Sequence, residues 1–236
     1  MNSLTEHIEI SRYNDGEITV TQDTVIKEYN LHINIDDKSM HRISCTQTSL
    51  QELLIGYMLG KDLINDYSGI QEITIDEDQN TAYVRTISRP NNIINKMNDK
   101  QHLRIPARHI LDTVSQCNKR SELFQSTGSV HYCALCSGSG ILRFEEDISR
   151  HNALDKIIGY AALNQILPDT CYIISSGRIS HDILKKIIKT ALPLAVSISA
   201  ATDAAVRLAK EHNVTLVGFA RGKRMNIYSC PQRIIC

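Results

Sequence analysis

CYIISSGRISHDILKKIIKTALPLAVSISAATDAAVRLAKEHNVTLVGF, from Cys171 to Phe219, decides the architecture. Three short runs, Cys171–Ser175, Leu194–Ser199 and Thr215–Phe219, are predominantly apolar and read as buried strands. Between them, His181–Ala191 and Asp203–His212 repeat apolar residues at helical spacing. Strands alternating with helices predict βαβ units and a largely parallel sheet covered on both faces. Working outward, a helix is expected over Ala107–Cys117 and a short one near Glu122–Gln125. A hairpin should follow, with strands Ser129–Leu135 and Ile141–Phe144 joined by Ser137-Gly138-Ser139-Gly140. Met225–Tyr228 reads as a last strand.

Immediately before this stretch stands EEDISRHNALDKIIG, Glu145 to Gly159. From Ala153 onward its apolar residues recur at helical spacing, so Asn152 reads as the N-cap and Asp155 as complement to the helix dipole. Arg150 and His151 are left as donors beside exposed backbone N–H groups, an arrangement that suits an anion. Glu146, Asp147, Asp155 and Lys156 read as loop-anchoring and capping groups.

Ligands of open α/β sheets bind at the carboxyl ends of the strands. Three loops fall there. Ser176-Gly177-Arg178 offers close backbone approach and a guanidinium fork, with Ser180 opening the next helix. Ser199 to Thr202 is small and rich in hydroxyls. Phe219-Ala220-Arg221-Gly222-Lys223-Arg224 sets three cations around a glycine. Together with Arg150 and His151 they predict an anionic, pyrophosphate-bearing ligand. The chain has no Walker A sequence and no GxGxxG, so the usual nucleotide fingerprints are absent.

The N-terminal part is written differently. Ile18–Val20, Thr24–Glu28, Leu31–Ile35, Ile70–Ile75 and Ala82–Thr86 read as strands, with one helix starting after Thr48 or Ser49. Ser88–Gln101, Asn-rich and polar, reads as a linker. The expected division is therefore a β-rich part over residues 1–100 and an α/β domain over 101–236. Lys+Arg 26 balances Asp+Glu 26 in 236 residues, so no global field favours nucleic acid or an anionic membrane. With no Trp and 3 Phe, an aromatic platform for single-stranded bases is not expected. Neither a signal core nor a bilayer-spanning apolar run is present, which predicts a cytoplasmic protein whose 7 Cys are thiols.

EEDISRHNALDKIIG, SSGRIS and ALPLAVSISAATDAAVRLAKEHNVTLVGFARGKRMNIYS, with SLQELLIGYMLG and ELFQSTGSVHYCAL upstream, resemble the formate dehydrogenase accessory sulfurtransferase family (FdhD/NarQ) from about Ser49 to Tyr228. The resemblance implies a cytidine-deaminase-like αβα sandwich with an added β-rich N-terminal part. It also implies sulfur carriage, as a cysteine persulfide, from a cysteine desulfurase to the molybdenum or tungsten bis-molybdopterin guanine dinucleotide cofactor. That cofactor is the bound cargo, delivered to the catalytic subunit of formate dehydrogenase, and a homodimer is expected.

Members of that family usually carry sulfur on a CxxC pair just before the helix that begins here near Pro106. The corresponding TISRPNNIINKMNDKQHLRIP has no cysteine. A CxxC occurs later, Cys133-Ala134-Leu135-Cys136, and these two are the candidate carriers, although an odd spacing in a strand directs them to opposite faces. Two other readings stand beside relocated sulfur transfer. One is a cofactor-binding chaperone without sulfur chemistry. The other is a zinc site using His131, Cys133 and Cys136, against which the zinc-deaminase H-x-E and P-C-x-x-C signature is missing. Cys117 and Cys171 read as packing, Cys45 has no neighbouring partner, and Cys230 and Cys236 lie on the tail.

Overall fold

The structure, a computed structural model, describes residues 3–87 and 103–236. The expected linker Ser88–Gln101, and with it the expected boundary at residue 100, lies outside the described residues. The chain opens with β1 (Thr5–Asn14) and β2 (Glu17–Ile26), which pair only with each other. Then come β3 (Tyr29–Ile35), β4 (Ser39–Cys45), α1 (Leu50–Gly60), β5 (Ile70–Asp76) and β6 (Thr81–Thr86). After the undescribed segment follow β7 (Ile105–Pro106), α2 (Ala107–Arg120), α3 (Glu122–Thr127), β8 (His131–Ser137), β9 (Gly140–Asp147) and α4 (Arg150–Leu163). The rest is β10 (Cys171–Ser175), α5 (His181–Lys189), β11 (Leu194–Ser197), α6 (Asp203–Glu211), β12 (Thr215–Arg221), β13 (Arg224–Ser229) and β14 (Ile234–Ile235).

The central sheet has the order β13-β12-β11-β10-β8-β9. Its middle strands β10, β11 and β12 are parallel, while β8, β9 and β13 add antiparallel flanks. On one face Leu135, Ile173 and Leu216 pack with Ile157 of α4, Leu184 of α5 and Ala205 of α6. On the other, Tyr172, Val196 and Val217 pack with Ile110 and Val114 of α2. The result is the expected αβα sandwich with a mixed sheet. A second sheet, β4-β3-β6-β5, buries Leu31, Ile33 and Val84 against Leu53, Leu54 and Met58 of α1.

Two strands are hard to see in the sequence. Among its described side chains β4 buries Ile43 and Cys45 alone, and most of β1 faces water, so neither shows an apolar alternation. The caps also differ from expectation. Ser49 precedes α1 with φ 49 and makes no side-chain cap; its hydroxyl donates to Glu145 Oε1 at 2.8 Å. Helix α4 begins earlier than expected, at Arg150, because Ser149 is its N-cap and accepts from the His151 N–H at 3.2 Å.

That shift places Asn152, Asp155 and Lys156 inside the helix and inside the protein. Lys156 is fully buried and pairs with Asp147 at 2.8 Å. Its ammonium also donates to the hydroxyls of Thr46 (2.6 Å) and Thr48 (3.0 Å) and to the Glu146 carbonyl (3.2 Å). The Asp147 carboxylate accepts from the backbone N–H of Thr46 and of Ser149, both at 3.1 Å, and from the Asn152 amide at 2.9 Å. Asp155 instead pairs with Lys186 of α5 at 2.6 Å. Beside these pairs α1 and α4 cross backbone to backbone. A Cβ on Gly56 would lie 1.8 Å from the Asp155 carbonyl oxygen, and one on Gly159 would lie 1.9 Å from that of Glu52.

Lys156→Met should therefore lower stability by about 3–5 kcal/mol, because it leaves a buried carboxylate without its counter-ion. Chemical denaturation would register this as a fall in the midpoint. The double substitution Asp147→Asn/Lys156→Met, which removes both charges, should regain part of the loss.

Candidate functional site

The carboxyl ends of β9, β10, β11 and β12 and the start of β8 meet at one edge of the central sheet, because β8 and β13 alone run the other way. The edge is tied together by backbone. The Ile179 N–H donates to the Ala200 carbonyl, the Thr202 N–H to Ile179, and the Phe219 N–H to Ser199, at 2.9–3.0 Å. Hydroxyls brace it further. Ser197 Oγ donates to the Gly177 carbonyl at 2.8 Å, and Thr202 caps α6 by accepting from the Ala205 N–H at 3.3 Å. Such an edge is held still before any ligand arrives.

On this frame the cations are unevenly placed. Arg150 runs across Gly177, whose missing Cβ is required there: a Cβ would come within 2.8 Å of that side chain. The Arg150 Nε is buried and has no hydrogen-bond partner among the described residues. Arg178 is exposed on the same loop, and no carboxylate of the described residues lies within ion-pair distance of either guanidinium. His131 feels the charge of both, and its Nδ1 shares a hydrogen bond with Ser176 Oγ at 3.3 Å. Burial, then Arg150 and Arg178, hold its pKa below the ordinary histidine value. A neutral imidazole with two guanidiniums that lack carboxylate partners, beside the N-terminus of α4, has the chemistry that an anion requires and makes this edge the candidate site.

Several expected contributors have other tasks. Asn152 is buried and spans from Asp147 to the Ser44 carbonyl (2.7 Å), so it joins the two parts of the fold instead of capping a helix or meeting a ligand. His151 does not join Arg178. Burial, then Lys186 and Arg150, lower its pKa to about 4, and Asp182 on α5 opposes them. Phe219 to Arg224 is a tight β-hairpin and not an open loop. In it Ala220 is fully buried, while Arg221, Gly222, Lys223 and Arg224 are exposed at the turn. Phe219 takes φ 52 and carries Arg221 over its ring at 5.7 Å. Ser199 contributes its backbone carbonyl to the frame.

Cys133 and Cys136 do not form a thiol pair. They belong to β8, where Cys133 packs with Ile157 on one face of the sheet and Cys136 with Val114 and Tyr172 on the other. Both are at most 1% exposed. Burial lifts the Cys133 thiol well above its ordinary range, and a hydrogen bond with Cys117, then burial, does the same to Cys136. Neither is the accessible thiolate that persulfide exchange or zinc ligation needs. Among the described residues no three His, Cys, Asp or Glu side chains come together in metal-binding geometry. The exposed thiol is Cys236, beyond β14, which pairs in parallel with β7.

A family described as FdhD/NarQ matches residues 26–101 and 87–235. This chain belongs to the FdhD/NarQ family. A relative from Bacillus licheniformis named sulfur carrier protein FdhD is 32% identical over 98% of both chains. One of the same name from Bacillus subtilis is 30% identical over 96% of both. The crystal structure of a Desulfotalea psychrophila protein assigned as a formate dehydrogenase accessory protein superposes with a TM-score of 0.88 at 23% identity, covering 99% of this chain and 100% of that one. That likeness extends the fold of this family member over the ribbon and both sheets.

The sequence places His131 only among candidate metal ligands, whereas the structure sets it at the candidate strand-end site beside Ser176. Its signal was positional: it opens a strand antiparallel to β10, so its start meets the end of β10.

His151 generates a pH prediction. Its folded pKa lies below the unfolded value near 6.5, so the unfolded chain binds the proton more readily. Stability from this residue is complete above about pH 6.5 and is lost as pH falls toward 4. Asp155, raised to about 6 by burial against the pull of Lys186, acts in the opposite sense over part of that range. Thermal melts of His151→Gln between pH 7 and pH 4 should accordingly show a shallower acid-side decline than the parent; an unchanged slope would remove His151 from the account.

Proposed function

We propose that this chain serves the maturation of formate dehydrogenase as a cytoplasmic sulfur carrier that holds the molybdenum or tungsten bis-molybdopterin guanine dinucleotide cofactor. The cofactor is cargo, and its pyrophosphates seat at the strand-end edge. Arg150, lying across Gly177, and Arg178 hold the phosphate oxygens, with His131 and Ser176 donating between them. The observation that carries this reading is the pair of guanidiniums without carboxylate partners, one with a buried unpaired Nε, beside a helix N-terminus. Membership of a family whose relatives are named sulfur carriers supports the chemistry.

The sulfur step is thiol–persulfide exchange. A thiolate attacks the terminal sulfur of the persulfide on a cysteine desulfurase; the new S–S bond forms as the old one breaks, and the desulfurase leaves as its thiolate. No net oxidation occurs. Cys236 has the exposure for that attack, and Cys133 and Cys136 do not. The burial of five of the seven cysteines also favours a second reading, a cofactor-holding chaperone with no sulfur step.

Two experiments separate these. Intact-protein mass after incubation with a cysteine desulfurase and cysteine should gain one sulfur atom, mapped by peptide analysis to Cys236. The gain should persist in Cys133→Ala/Cys136→Ala. An unmodified chain would leave the chaperone reading in place. Calorimetry with guanosine diphosphate, standing in for half of the cofactor, should show binding that weakens with salt. Arg150→Ala/Arg178→Ala should weaken it by about 10- to 150-fold, the range of a lost charge-assisted hydrogen bond of roughly 1.5–3 kcal/mol. Equal binding of guanosine would dismiss the phosphate site.

A further inference from the structure

Arg233 is a buried cation that no carboxylate meets. It closes the single turn Pro231–Arg233 after β13, is 3% exposed, and forms no ion pair among the described residues. Its Nε is buried without a hydrogen-bond partner, and its Nη1 donates to Thr215 Oγ1 at 3.2 Å. A guanidinium stays protonated in proteins, so it cannot shed its charge to suit the site. A buried charge of this kind is costly until a counter-charge joins it. Burial works against the Arg233 charge, and the side chain that favours it is the thiol of Cys230.

The two residues are held together at the start of β12, across the central sheet from the cationic strand-end edge. Leu216 of β12 stands opposite Ser229 of β13 there. Ser229 Oγ donates to the Val214 carbonyl at 2.7 Å and accepts from the Leu216 N–H at 3.0 Å. Thr215, fully buried, donates its hydroxyl to the Cys230 carbonyl at 2.6 Å while accepting from Arg233, so one side chain fixes both members of the pair. Cys230 is half-buried, unlike the five thiols of the core, and a small molecule can reach it. What the pair lacks is a negative charge. A persulfide supplies one, because it is a stronger acid than its parent thiol and its terminal sulfur is anionic at neutral pH.

We propose that Cys230 and Arg233 form a second sulfur-holding site, in which Cys230 carries a sulfane sulfur as a persulfide anion and Arg233 is the counter-ion. The Cys230 thiolate attacks the terminal sulfur of a donor persulfide. The S–S bond of the donor breaks as the new one forms, and the donor leaves as its thiolate, taking up the proton that the new terminal sulfur releases. No oxidant or reductant is needed. The donor is either a free low-molecular-weight persulfide or the persulfide of Cys236 on the same tail. The inference rests on the sulfur-carrier reading for its purpose, and not on the phosphate site, which lies at the other end of β12.

Sulfur mapping on the full chain tests it. One sample receives free cysteine persulfide; another is loaded by a cysteine desulfurase and cysteine and then freed of both. Persulfides are trapped with iodoacetamide and located by peptide fragmentation. The parent should carry added sulfur at Cys230. Its persistence in Cys236→Ser given cysteine persulfide would name the free donor, and its appearance only in chains that retain Cys236 would name the tail as the source. Arg233→Gln should hold about 10-fold less sulfur at Cys230, the lower range of a lost charge-assisted hydrogen bond, and Arg233→Lys should regain most of it. A parent without added sulfur at Cys230 in both samples would overturn the proposal, as would an Arg233→Gln chain that melts like the parent and holds as much. A desulfurase that fails to load Cys236 would count against the carrier reading alone, because free cysteine persulfide tests Cys230 directly.

Discussion

The buried ion pair between Lys156 and Asp147 is the constraint on which the rest of the structure depends. An ammonium and a carboxylate both removed from water cost several kcal/mol each unless every donor and lone pair is engaged. Here the engagement comes from both parts of the chain. Thr46 and Thr48 precede α1, whereas Asp147 and Asn152 flank the start of α4. The β-rich part and the α/β part are therefore joined by a polar centre that neither can complete alone. Gly56 and Gly159 allow the helices on which these residues depend to approach backbone to backbone. A side chain at either glycine would push the pair apart.

That centre also positions the candidate site. Asp147 ends β9 and orients the Ser149 N–H, and Ser149 caps the helix from which Arg150 reaches across Gly177. Arg150 thus inherits its place from a network that it does not join. The frame of β10, β11 and β12 ends supplies the opposing loop, with Ser197 and Thr202 bonded inward and Arg178 left outward. Hydroxyls in this edge hold backbone, and cations face the solvent. Protein groups held in this way need not reorganise on binding a ligand, which favours affinity.

Much of this was legible before folding was considered. The runs Cys171–Ser175 and Thr215 onward are predominantly apolar on both alternating faces, and a strand buried on both faces suits that pattern. Arg178 and Gly177 could be assigned to a strand-end loop from order alone. The assignment failed for Ala220, because Phe219 to Arg224 continues the ladder through a bulge into β13 and turns Ala220 inward. It failed for the thiols as well. The spacing of Cys133 and Cys136 correctly put them on opposite faces, but not that both faces are covered, by α4 on one side and α2 on the other.

The sequence by itself determined the alternation of strands and helices, the strand-end loops, the Asp15-Gly16 turn and the absence of a cysteine from the segment before Pro106. Those follow from local backbone preference and the period of apolar residues. Only the tertiary structure decided which charges meet. Asp155 and Lys156 are adjacent in the chain, yet neighbours on a helix point about 100° apart. Lys156 consequently turns to Asp147 and the threonines, and Asp155 turns to Lys186. Arg150, five residues before Asp155, finds no carboxylate on its side of the helix. Among the described residues it remains a charge without a partner, and that is a property of the packed molecule, because partners are fixed by which faces are brought together.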